Sequence, residues 1–118
     1  MVLINQIKDF RQRLDALYHH LKIDNKITFV KEQELKTQKN DFWNNPKSAE
    51  IVMKKIKKEK IWIDGYNKVK RSIDDLNTLY EFFLENEVKE DEVNFFLLET
   101  KLLLEEIEFK NMLSNEED

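Results

Sequence analysis

Residues 56–80 read IKKEKIWIDGYNKVKRSIDDLNTLY, and the fold turns on whether Asp64-Gly65 breaks this stretch. Asp-Gly is ordinarily a turn signal, so the phase of the apolar residues has to decide. Ile56 and Ile63 lie one heptad apart, as do Tyr66, Ile73 and Tyr80, and Ile63 to Tyr66 is a step of three. One apolar stripe therefore passes the glycine without a jump. Its slide toward Val69, Leu76 and Phe83 is the drift of a straight helix against a heptad repeat. A glycine in mid-helix costs only about 1 kcal/mol. The expectation is a single helix over residues 46–86, with Ala49, Val52 and Leu84 extending the stripe at its ends. Such a helix is about 60 Å long. A compact domain of this size has a radius of gyration near 13 Å, or roughly 35 Å across, so the molecule should be elongated.

Working outward, residues 41–50 read DFWNNPKSAE. Asn44 or Asn45 can cap a helix, and Pro46 suits a first helical position because it lacks an amide that would go unpaired there. Phe42 and Trp43 admit two readings: an anchor for a partner, or aromatics packed back on the first turns as in a hydrophobic staple. Packing is favoured. Together Phe42, Trp43, Asn45 and Pro46 form a helix-start motif. Upstream, Leu3, Ile7, Phe10, Leu14, Leu17 and Leu21 follow a 4-3-4-3-4 spacing, one stripe with coiled-coil-like regularity. Asp24 or Asn25 then caps a second helix with Ile27, Val30 and Leu35 inward. Downstream, Glu87-Val88-Lys89 is a short connection. Asp91 caps a last helix carrying Val93, Phe96, Leu97, Leu103, Leu104, Ile107 and Met112, and so short a link returns the chain antiparallel. The tail SNEED reads as polar and frayed.

The totals agree. The chain has 118 residues, one Gly, one Pro and no Cys. Turn-rich strand folds need the first two, and without cysteine there are no disulfides or thiolate metal sites. Fold class is therefore all-α: an elongated antiparallel helical bundle or hairpin with one long central helix and coiled-coil-like packing. Residues 1–118 form a single helical domain, with helices roughly over 3–22, 25–38, 46–86 and 91–113. No run of about 20 apolar residues is present, and MVLINQIKDF is too short in apolar residues for a signal peptide, so a cytoplasmic protein is expected. Net charge is −4, but residues 89–118 hold three lysines against ten carboxylates, leaving the rest at +3. Such a chain can meet a polyanion with one surface only.

Few residues suggest chemistry. His19 and His20 are adjacent and point about 100° apart on a helix, which does not suit a shared metal. Glu105, Glu106 and Glu108 read as helix surface rather than as a catalytic pair. One glycine excludes a Gly-rich phosphate loop. The strongest polar cluster is MKKIKKEK, residues 53–60, where Lys54 and Lys58 share a face with Lys55 beside them, while Lys57 and Lys60 lie toward Ile56. These lysines suit either RNA phosphates or a solvated face, and the solvated face is favoured. No catalytic, cofactor or metal site is expected.

Residues 41–46, with Ala49 following, resemble the segment that opens the long helix in the N-terminal domain of bacterial class I peptide chain release factors of type 2. The order of elements is similar along essentially the whole chain. Glu108-Phe109-Lys110-Asn111-Met112-Leu113 lies near that family's E-x-x-x-M-L ending. Asn40 stands where the family often has proline, and Asn115 and Glu117 replace a Gly and a Tyr common there.

The resemblance implies translation termination, through a domain that docks at the stalk base of the large ribosomal subunit, on ribosomal protein and rRNA. It also implies interplay with the class II release factor, a GTPase, and no membrane or DNA partner. Lys54, Lys55 and Lys58 are then the candidate rRNA contacts. The family's Gly-Gly-Gln loop and Ser-Pro-Phe tripeptide have no counterpart in these residues, so the resemblance implies the non-catalytic first domain of a longer factor. The competing expectation is a free-standing coiled-coil adaptor.

Overall fold

The structure, a computed structural model, describes residues 2–117. It is all-helical: α1 (Val2–His20), α2 (Ile23–Thr37), a short 3-10 turn (Phe42–Asn44), α3 (Pro46–Leu84) and α4 (Glu90–Glu117). The extents are 60 × 32 × 19 Å and the radius of gyration is 18.7 Å, well above the compact value of about 13 Å. The long helix does run unbroken through Asp64-Gly65.

Three helices build the core. Leu3, Ile7, Phe10, Leu14, Leu17 and Leu21 of α1 interlock with Tyr66, Val69, Ile73, Leu76 and Tyr80 of α3 and with Val93, Leu97, Leu104 and Ile107 of α4. Cross-helix partners fix the directions. Tyr18 meets Tyr66 with ring centroids 5.6 Å apart, and Arg11 meets Asp74 at 2.5 Å, so α1 runs antiparallel to α3. Ser72 bonds Thr100, while Gly65 lies against Ile107, so α4 also runs antiparallel to α3. The first half of α3 projects past this bundle as an arm, and α2 covers one side of it. Val30, Ala49 and Ile56 are buried on that pairing, flanked by Lys26–Glu59 at 3.7 Å and Lys60–Glu34 at 2.7 Å.

The boundaries depart from the sequence expectations for local reasons. Neither Asp24 nor Asn25 caps α2. The helix starts at Ile23 because that side chain is almost wholly buried, and Lys22 makes the bend in a left-handed conformation, φ 52°. Asp24 sits in the first turn and accepts a hydrogen bond from the Tyr18 hydroxyl. Helix α3 ends at Leu84 rather than 86, in a Schellman motif. Asn86, φ 61°, donates to Phe83 O at 3.0 Å and Glu87 N donates to Phe82 O at 2.9 Å. Asp91 lies inside the first turn of α4, with Glu90 and Glu92. Two acidic neighbours suit the positive helix end without a cap at that position. The tail is not frayed as far as Glu117, since α4 continues through SNEE; Asp118 lies outside the described residues. Leu35, Leu84 and Met112, expected inward, are exposed. Each stands near a helix end, where the partner helix no longer covers it.

Candidate functional site

The arm owes its start to the expected device. Asn45 is the cap, its Oδ1 accepting from Ser48 N at 3.2 Å, and Pro46 occupies the first helical position. Phe42 and Trp43 precede that cap. They lie in the 3-10 turn with rings edge-to-face at 4.8 Å; Phe42 is half-buried and Trp43 is 57% exposed. The Trp43 indole N–H donates to Thr37 O at 3.1 Å, a carbonyl left free at the end of α2. Indole polarity, rather than apolar packing, places Trp43, so the pair ties α2 to the start of α3 from the outside.

Beyond the cap, α3 turns Ala49 and Ile56 toward α2 and the opposite side to solvent. Ile51, Lys54, Lys55 and Lys58 recur at i, i+3, i+4 and i+7 and are all exposed, which gathers the three lysines on one face. Lys54 also reaches Glu50 at 2.9 Å, a pair exposed on both sides and weak for that reason. Lys55 and Lys58 make no ion pair among the described residues. Lys60 belongs to the α2 contact instead, and its bond to Glu34 holds its ammonium above the ordinary lysine value.

The remaining candidates are structural. Glu108 takes a two-pronged grip from Arg13, Nε to Oε2 at 3.0 Å and Nη2 to Oε1 at 2.5 Å, clasping α4 to α1. Glu105 and Glu106 are exposed, and Glu106 pairs with Lys110 at 3.5 Å. His19 and His20 are exposed in the last turn of α1, where any positive charge suits the helix end. No cluster of three potential metal ligands forms among the described residues, and no helix there is long and apolar enough to cross a membrane.

Two surfaces escaped the sequence reading. One is a groove of about 610 Å³ between α3 and α4, running on from Lys58 past Ile61, Trp62 and Gly65. Its signal in the sequence is Gly65 itself, the one position on that face of α3 without a side chain. The other is an outward stripe on α4, Phe95, Leu98, Leu102 and Phe109, each more than half exposed. Its 3-4-7 spacing was present, but periodicity shows a face and not which side a neighbour covers. No known protein-family model matches the chain.

Proposed function

We propose that the chain is the ribosome-docking domain of a class I peptide chain release factor of type 2, acting in translation termination without catalysing anything itself. The observation that carries the reading is Asp41-Phe42-Trp43-Asn44-Asn45-Pro46, standing at the junction of a short and a very long helix, as in the family it resembles. With no matching family model, the reading rests on that motif and on the order of elements. The geometry suits docking. A stiff arm with a lysine face on its free side can add binding energy and orientation while other domains do the chemistry. The class II factor and the stalk base are partners in this reading, and the cytoplasm its setting. The α4 stripe favours the alternative, a helical adaptor that uses an apolar face to assemble with another protein.

The test is sedimentation of the purified chain with separated ribosomal subunits. The reading expects saturable binding to the large subunit that a type 2 release factor displaces, weakened and made less salt-sensitive by Lys54→Glu, Lys55→Glu and Lys58→Glu together. Absence of binding, or binding that the factor does not displace, would overturn it. Unchanged affinity and salt slope in the triple variant would dismiss the lysine face.

A further inference from the structure

The groove between α3 and α4 has a composition that selects its occupant. Trp62, Val69, Leu103 and Ile107 line its depth, and Ile61 and Leu113 stand at its edges, 57% and 42% exposed. Lys58 and Lys68 stand on the α3 side and Lys110 on the α4 side. The only carboxylate among the described lining residues, Glu106, pairs with Lys110. The rim is thus net positive while the depth is apolar. Gly65 opens the groove, because a larger residue there would project into it. Space of this size is ordinary for seating a few large side chains.

We propose that this groove binds an acidic amphipathic helix of a partner protein, with one or two large apolar side chains in the groove and carboxylates at Lys58 and Lys68. The two lysines lie ten residues apart on one helix, about 15 Å, which matches acidic groups roughly three turns apart on a docked helix. Charge complementarity selects this occupant over an RNA strand. Nucleic acid presents a charge at every nucleotide, whereas the groove sets its lysines apart at the rim around an apolar depth. Trp62 is the single aromatic among the described lining residues, which offers successive bases little to stack on. The inference stands on the groove alone and does not rest on the ribosomal reading.

Fluorescence anisotropy of the whole chain tests it without ribosomes. The probe is a labelled helical peptide of about 16 residues with Leu at i, i+4 and i+7 and Glu on the flanks. Saturable binding is expected, weaker at higher salt. The double variant Lys58→Glu, Lys68→Glu should weaken it about tenfold, and Gly65→Met should weaken it by filling the groove; circular dichroism checks that both variants remain folded. A Leu→Ser peptide should fail to bind. No saturation up to about 1 mM, equal binding by the Leu→Ser peptide, or indifference to both variants would overturn the proposal. So would tighter binding of a uridine oligonucleotide at the same groove, shown by loss in Gly65→Met.

Discussion

Replacing Gly65 by alanine should stabilise the protein. Gly65 is the only glycine in the chain and sits inside α3 with 19 helical residues on either side. Its φ is not positive, so alanine adopts the same backbone without strain. An added Cβ would meet only the Cδ1 of Ile107, at 3.4 Å, an ordinary contact with the free end of a side chain. Nothing offsets the propensity difference between alanine and glycine in a helix, about 1 kcal/mol. The expected gain is therefore about 1 kcal/mol, and Tm should rise by roughly 3–6 °C. Urea and thermal unfolding followed by circular dichroism at the helix band measure it. A loss of about 1 kcal/mol or more would refute the reasoning, because it would mean either a turn at Asp64-Gly65 or an interface too tight for one methyl. Gly65→Val tests the second limb. Its branched side chain reaches past Ile107 Cδ1 and gives back the gain through its lower helix propensity.

Lys22 holds a left-handed conformation that glycine adopts freely, so Lys22→Gly should stabilise by about 0.5–1 kcal/mol, read as a rise in the denaturation midpoint. Thr100 is fully buried, its hydroxyl shared between Ser72 Oγ at 2.7 Å and Phe96 O at 2.9 Å. Thr100→Val keeps the shape but strands the Ser72 hydroxyl, and should cost about 1 kcal/mol in the same assay. Burial first, and then the Asp15 carboxylate, push the Tyr66 phenol above its ordinary 10.0. The folded state thus holds that proton more firmly than the unfolded state. The resulting stability is full below pH 10 and is lost as pH rises toward the folded value. Thermal scans between about pH 8 and 11 should show a decline that is shallower in Tyr66→Phe.

Most of the fold was legible because its deciding features are periodic. The α1 stripe from Leu3 to Leu21 and the unbroken phase from Ile56 to Tyr80 fix which faces pack, and with one Gly and one Pro little else could form. The misses were at ends and edges. The start of α2 depends on Ile23 finding a core position, which no capping pattern at Asp24 or Asn25 reveals. Asn86 ends α3 by taking a left-handed conformation, which leaves only a weak trace in composition. Trp43 looked like packing because of its size, yet its N–H placed it on Thr37 O. The lysine face was visible as spacing, and the structure adds that Lys60 is engaged by Glu34 while Lys55 and Lys58 make no ion pair among the described residues. The groove was invisible because it joins α3 to residues on α4 some forty positions away.

The central claim is that this chain docks a termination factor whose chemistry lies elsewhere. The direct measurement is stop-codon-dependent hydrolysis of peptidyl-tRNA on ribosomes, using the product of the whole natural reading frame that contains this segment. It is compared with the same product lacking residues 1–118. The account predicts release by the whole product, and by the shortened one only at markedly higher concentration, with the saturated rate little changed. Absence of stop-codon-dependent release from the whole product would contradict it, as would an unaltered concentration dependence after the deletion.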